Sequence, residues 1–155
     1  ILARMTVFLE RGSHMDGSLP KFFAQGKARF EIEHIWADHP ELHTDEFASP
    51  ADFAEARNQI GGLLLLPKKF NASYGDLPYA QKVSHYFGQN ILAKSLNPQA
   101  YQHHPGFLQF TQSAGLPFQP HPEFKRADLQ QRHQLYQKIA EQIWDPGRLN
   151  QEVCL

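Results

Sequence analysis

The apolar run GGLLLLP, residues 61–67, constrains the fold of this chain more than any other segment. It is short, uninterrupted by polar residues, and closed by Pro67, a pattern typical of a buried strand. It is also far shorter than the ~18 apolar residues that a membrane-spanning helix requires. We therefore expect a strand inside a folded core and no association with a membrane.

A second strand is predicted in the segment ARFEIEHIWA, residues 28–37, where apolar and polar side chains alternate. Successive side chains of a strand point to opposite faces. One face would carry Phe30, Ile32, His34 and Trp36, and the other Glu31, Glu33 and Ile35. The acid and the imidazole at positions 33 and 34 would then point in opposite directions, so a local twist or bulge is needed if they are to act together.

Helical periodicity and capping residues predict four helices around these strands. They cover residues 1–10, 51–60 (begun by Ser49 and Pro50), 77–96 (capped by Asp76) and 126–144. The segment KKFNASYGD, residues 68–76, reads as a turn, and the proline-rich residues 97–124 read as an irregular connection with short helical turns. The central order is strand, long loop, strand, turn, helix, within a mostly helical α+β fold.

Length and composition indicate one domain of 155 residues with a net charge of −1 and a single cysteine, Cys154. One cysteine excludes a disulfide framework and a cysteine-based zinc site, and it suits a reducing cytoplasm. The near-neutral charge means that binding to a polyanion requires a local basic patch or a metal ion.

The chain reads as the C-terminal part of a longer protein. Residues 11–20 begin with RGSHM, which resembles the remnant of a cleaved purification tag, and they are read either as that or as a loop.

Three side chains in this order have the chemistry needed to hydrolyse a phosphodiester. An imidazole such as that of His34 can deprotonate water near neutral pH. A hard divalent cation can neutralise the charge that develops on the phosphate, and Mg²⁺ needs only one or two protein oxygens because it retains several waters. Glu33 and Asn71 supply a carboxylate and an amide oxygen.

Three segments carry a family resemblance: IEHIW (32–36), RNQIGGLLLLPKKFNASYGDLPYAQK (57–82) and RADLQQRHQLYQKIAEQIW (126–144). They resemble the C-terminal nuclease domain of GmrSD-type modification-dependent restriction enzymes, in the HNH or His-Me finger superfamily. A finer similarity is to SspE-like proteins, which defend bacteria whose own DNA carries phosphorothioates. The resemblance implies a ββα-metal core with flanking helices. It also implies an upstream nucleotide-hydrolysing domain in the full-length protein and a bacterial cytoplasmic location.

The resemblance also implies the main site residues. His34 would be the general base that activates water, and Glu33 and Asn71 would be the ligands of Mg²⁺ or Mn²⁺. The middle asparagine of the family pattern is replaced by Gly62. Either the Gly62 carbonyl or the side chain of Asn58 would then hold the ring of His34.

Three lysines are predicted to contact nucleic acid. Lys82 matches a position that is commonly basic in the family, and Lys68 and Lys69 follow the second strand. Each of them would bind a backbone phosphate of the substrate.

These observations predict a metal-dependent DNA endonuclease that nicks one strand at a time and serves in restriction or antiviral defence. Two alternatives remain open on the sequence. One is a catalytically degenerate DNA-sensing or regulatory module, favoured by Gly62 in place of asparagine. The other is an RNA-directed nuclease.

Overall fold

The structure is a computed structural model, and it describes residues 1–147; Cys154 lies outside the described residues. Two strands and eight α-helices form the regular elements of this part of the chain. In chain order they are α1 (Leu2–Gly12), β1 (Phe30–His34), α2 (Pro50–Arg57), β2 (Leu63–Pro67), α3 (Lys68–Tyr74), α4 (Tyr79–Tyr86), α5 (Ile91–Lys94), α6 (Ala100–His103), α7 (Pro105–Ser113) and α8 (Arg126–Ile143). The predicted mostly helical α+β class is confirmed.

The two strands form a two-stranded antiparallel sheet, called the hairpin below, although residues 35–62 and helix α2 connect them. Phe30 lies opposite Pro67, and His34 lies opposite Leu63. Leu64 and Leu66 are fully buried, so one face of the hairpin lies against the core. The 3₁₀ turn at residues 60–62, just before β2, packs against α8, and α3 packs against both strands. The hairpin is thus enclosed on one side by helices.

The buried face of β1 is the acidic one. Glu33, opposite Leu64, is 3% exposed, whereas Ile32 is 55% exposed. A carboxylate is stable in a core only when it is paired and hydrogen-bonded. Its Oε1 accepts hydrogen bonds from Lys82 Nζ at 2.8 Å and from the Tyr86 hydroxyl at 3.0 Å, both on α4. The alternation predicted for the strand is present, and its open face carries Ile32 and His34.

The prediction of a turn at residues 68–76 is wrong, because residues 68–74 form α3 directly after β2. The reason is tertiary packing. Phe70 is 4% exposed, and its ring stacks on Tyr86 with centroids 5.5 Å apart. The local sequence, with its asparagine, serine and glycine, does not favour a helix. Packing of the buried Phe70 ring therefore stabilises α3 against this preference.

The single helix predicted over residues 77–96 is two helices, α4 and α5. Asn90 separates them: its Oδ1 accepts from the Ala93 N–H and caps α5, and its Nδ2 donates to the Leu65 carbonyl of β2 at 2.8 Å. The predicted cap at Asp76 is also wrong. Pro78 precedes α4, and the exposed Asp76 carboxylate lies 3.2 Å from His39 Nε2.

The region 97–124 is more regular than predicted, since it contains α6 and the nine-residue α7. Pro105 opens α7, where a missing N–H does no harm, so it does not interrupt the helix. Residues 11–15 also belong to the fold. Helix α1 runs through Gly12, and a Cβ there would lie 2.4 Å from the Phe110 ring, so a larger residue would require that ring to move.

The helices predicted at residues 1–10 and 126–144 are present as α1 and α8, and the helix predicted at residues 51–60 is the shorter α2. Ser49 caps α2 by accepting from the Asp52 N–H. Among the described residues, no helix combines the length and the apolar character that crossing a membrane would take.

We predict that Lys82→Met destabilises the protein by about 3–5 kcal/mol, because it leaves the Glu33 carboxylate buried without its cation. Chemical denaturation measures the loss. Lys138→Met, an exposed lysine of α8, is the matched control and should change stability little. The double variant Glu33→Gln/Lys82→Met should recover part of the loss. If Lys82→Met and Lys138→Met unfold at the same denaturant midpoint, the ion pair does not stabilise the fold.

Candidate functional site

The imidazole of His34 is held by an asparagine from outside the hairpin. His34 Nε2 lies 2.9 Å from Asn58 Oδ1, and Asn58 Nδ2 donates to the Ala54 carbonyl at 2.8 Å. Because that carbonyl can only accept, it fixes the orientation of the amide and leaves Oδ1 facing the ring. Nε2 must then carry the hydrogen, and Nδ1 carries the lone pair. The structure thus defines which nitrogen of His34 is basic.

The pKa of His34 is lowered from its ordinary value, chiefly because the ring is partly buried. The hydrogen bond that His34 Nε2–H donates to Asn58 opposes this shift, while the positive charge of Arg57 adds to it. A lowered pKa keeps the imidazole neutral at pH 7, which is the protonation state that a general base requires.

Asn71 lies one turn into α3, and its side chain bridges the helix to β1. Its Nδ2 donates to the Ile32 carbonyl at 2.9 Å. Its Oδ1 is buried and has no hydrogen-bond partner among the described residues. A buried carbonyl oxygen without a partner is unfavourable, so this atom is available to accept from, or bind to, a ligand. An amide oxygen is a suitable donor for a hard divalent cation.

Glu33 is connected to Asn71 through intervening residues, and its Oε1 is already engaged. Asn71 is anchored on the carbonyl that directly precedes Glu33, and its neighbour Phe70 stacks on Tyr86, whose hydroxyl binds Glu33 Oε1. Lys82 binds the same oxygen and also donates to the His34 carbonyl at 2.9 Å. The carboxylate therefore faces the core with its charge already paired with an ammonium, and the predicted metal-ligand role of Glu33 stays a prediction.

Asn71 Oδ1 is therefore an acceptor that a cation needing few protein ligands could use. Among residues 1–147 no group of three or more histidine, cysteine, aspartate or glutamate side chains is arranged to hold a metal ion. This arrangement does not match a four-ligand zinc site. It matches the preference of Mg²⁺ for one or two protein oxygens and several waters.

Gly62 does not hold the His34 ring. Its carbonyl accepts from the Ile35 N–H at 2.9 Å, so that expectation is corrected in favour of Asn58. A Cβ at Gly62 would lie 3.0 Å from Leu129 Cδ1 and 3.2 Å from the Arg57 carbonyl, which is tight for a larger side chain. The close packing of this turn against α8 accounts for glycine here, and Asn58 reaches the ring from the end of α2.

Lys82 cannot contact a phosphate. It is fully buried and its ammonium group is bound to Glu33 and His34, so the expected nucleic-acid contact at this residue is wrong. Lys68 and Lys69, the other two lysines predicted to bind DNA, are exposed at the start of α3.

The sequence analysis missed the contributions of two residues to the candidate site. Arg57 lies near His34, lowers the pKa of its ring and donates from Nε to the Trp36 carbonyl at 3.0 Å; no local pattern indicates this. The structural role of Lys82 had a signal. Tyr79, Lys82 and Tyr86 follow the i, i+3, i+7 spacing of one helix face, so Lys82 shares the buried face of α4.

Comparison with protein families assigns the chain to a known family. The family of GmrSD restriction endonucleases, C-terminal domain, matches residues 3–139. The chain belongs to this family, and the resemblance stated from the sequence is confirmed at that level. Its family is thus one of restriction endonucleases. The similarity to the SspE-like branch stays a prediction. No curated protein and no solved structure gives a significant match to the chain.

We predict that NMR titration in the absence of divalent ions gives His34 a pKa below 6.5 and a neutral ring protonated at Nε2. Asn58→Ala should lower the pKa further, because the hydrogen bond that the ring donates to Asn58 raises it. The Nε2–H tautomer should also lose its dominance. The control variant Gln59→Ala changes an exposed neighbour of Asn58 and should leave the titration of His34 unchanged. An unchanged His34 titration in Asn58→Ala would contradict the assigned contact.

Proposed function

We propose that this domain is a Mg²⁺- or Mn²⁺-dependent DNA endonuclease of the HNH type, acting in bacterial restriction or antiviral defence. The observation that carries the proposal is the pair formed by an oriented imidazole and an unsatisfied oxygen. His34 has its Nε2 fixed by Asn58, and Asn71 Oδ1 is buried without a partner among the described residues. Both side chains are attached to β1, Asn71 through the Ile32 carbonyl.

In this proposal His34 Nδ1 takes a proton from the attacking water while Asn58 keeps the ring in position through Nε2. The lowered pKa ensures that Nδ1 is free at neutral pH. Burial and the charges of Arg57 and Lys82 disfavour the imidazolium that forms, so the proton is readily passed on after the attack. Asn58 stabilises the imidazolium, and its hydrogen bond limits the depression of the pKa.

Asn71 Oδ1 would hold the metal ion, which would stabilise the negative charge on the phosphate and on the departing oxygen. Glu33, on the opposite face of β1 from His34, would reach the same ion only through a local twist of the strand. The role of Lys82 is then structural. Its ammonium group neutralises the Glu33 carboxylate inside the fold and also donates to the His34 carbonyl. One side chain therefore holds both residues 33 and 34 in place.

A site with one base cuts one strand in each event, so a nick is the expected product. A double-strand break would require two copies of the domain. An upstream nucleotide-hydrolysing domain in the full-length protein, and the bacterial cytoplasm as its location, are part of the same proposal.

We predict that His34→Ala lowers the rate of supercoiled-plasmid nicking by about 10²-fold or more, the usual contribution of a general base. His103→Ala should nick at the wild-type rate. For the wild type the rate should rise with pH and level off below the ordinary histidine pKa, because the lowered pKa makes the neutral base available at lower pH. Nicking by His34→Ala at the wild-type rate would refute the role of the base.

We predict that Asn71→Ala loses both plasmid nicking and the Mn²⁺-binding isotherm measured by calorimetry. Asn71→Asp keeps an oxygen and should retain more Mn²⁺ binding than the alanine variant, although it loses the donor to Ile32. EDTA should stop nicking by the wild type.

A wild-type chain that binds DNA but neither cuts nor binds Mn²⁺ would favour the regulatory module. Preferential digestion of total RNA beside plasmid would favour the RNA-directed nuclease.

A further inference from the structure

Three exposed lysines near the hairpin have no partner among the described residues. Lys27 lies in the 3₁₀ turn Gly26–Ala28, and Lys68 and Lys69 open α3. Two other lysines of the surface form ion pairs within the fold. Lys21 pairs with Glu10, and Lys125 pairs with Asp45. The three unpaired lysines are therefore available to an external anion.

The two segments that carry these lysines meet at one end of the hairpin. The Lys68 N–H donates to the Arg29 carbonyl at 2.9 Å, and the 3₁₀ turn packs against α3. Arg29, which is half-exposed, binds Glu31 through Nε at 2.8 Å. We call Lys27, Arg29, Lys68 and Lys69 the basic strip. It lies where β1 begins and β2 ends.

The basic strip is aligned with the candidate site. Lys68 and Asn71 are three residues apart on α3, so their side chains lie on the same side of the helix about 5–6 Å apart at Cβ. His34 is at the other end of β1 from Phe30, about 13 Å away at ~3.4 Å per residue. Phosphates along one DNA strand advance by about 3.4 Å of helix axis per nucleotide. The strip is therefore within about four nucleotides of a phosphate placed beside His34 and Asn71.

The charge balance makes the strip a local feature. The chain has 15 Lys and Arg against 16 Asp and Glu, so no global field attracts a polyanion. Glu33, the carboxylate nearest to His34 in sequence, is neutralised inside the core by Lys82. The open face that carries His34 consequently does not present this negative charge to a phosphate.

We propose that the basic strip is the DNA-binding surface of the domain and that it holds the phosphates flanking the scissile one. This rests on the proposed function, because it places the substrate strand along β1 from His34 toward Lys27. The turn at residues 26–28 is thereby part of the substrate interface. Binding through the strip is electrostatic and independent of base sequence.

The test measures binding separately from cutting. Fluorescence anisotropy with a labelled DNA duplex, in EDTA and in a His34→Ala background, gives the dissociation constant at several salt concentrations. Lys27→Ala/Lys68→Ala removes one lysine from each segment of the strip. Lys94→Ala/Lys138→Ala, on α5 and α8, makes the same change in net charge elsewhere.

The strip variant should bind at least tenfold more weakly at low salt than the control variant. The slope of log K against log salt should fall by about 1.8, since each lost phosphate contact contributes about 0.9. Equal affinities and slopes for the two variants would overturn the proposal. If the wild type does not nick plasmid but the strip variant still loses binding, the proposed catalysis fails and the surface stands. If the wild type nicks and the two variants bind alike, the surface fails alone.

Discussion

The buried contact between Lys82 and Glu33 determines how the hairpin presents its side chains. Lys82 comes from α4, lies in the core, and binds both the Glu33 carboxylate and the His34 carbonyl. Burying a carboxylate without a partner is strongly unfavourable, so the acidic face of β1 can turn inward only where this cation and the Tyr86 hydroxyl meet it. Once Glu33 faces inward, strand alternation requires His34 to face outward. The accessibility of the imidazole is thus a consequence of an ion pair on the other side of the strand.

The surroundings of His34 show how its ring is held where one residue of the family pattern is replaced. The turn at residues 60–62 packs closely against α8, and Gly62 uses its carbonyl for the backbone of Ile35. The ring is held instead by Asn58, at the C-terminal end of α2, with Ala54 fixing the amide. The same hydrogen-bonding role is filled from a neighbouring helix, so Gly62 does not by itself indicate a degenerate site.

Much of the organisation could be predicted from the sequence. The alternating segment and the apolar run defined both strands, and α1 and α8 followed from helical spacing. The errors came where tertiary contacts outweigh local preference. The Asn- and Ser-containing segment 68–74 is helical because Phe70 docks on Tyr86. The helix predicted over 77–96 is divided because Asn90 binds the edge of β2. Local propensity is weak compared with such contacts, so these boundaries were not accessible from periodicity.

For the candidate site, the sequence by itself determined the residue types and their order: an acid next to an imidazole on a strand, and an asparagine after the next strand. Only the tertiary structure decided what each of them does. Alternation shows that Glu33 and His34 face opposite ways, but not which of them is buried. That choice depends on the cation supplied by Lys82, 49 positions from Glu33 along the chain. The orientation of the His34 ring depends likewise on Asn58, 24 positions away, because contacts between distant segments are set by packing and leave no local pattern.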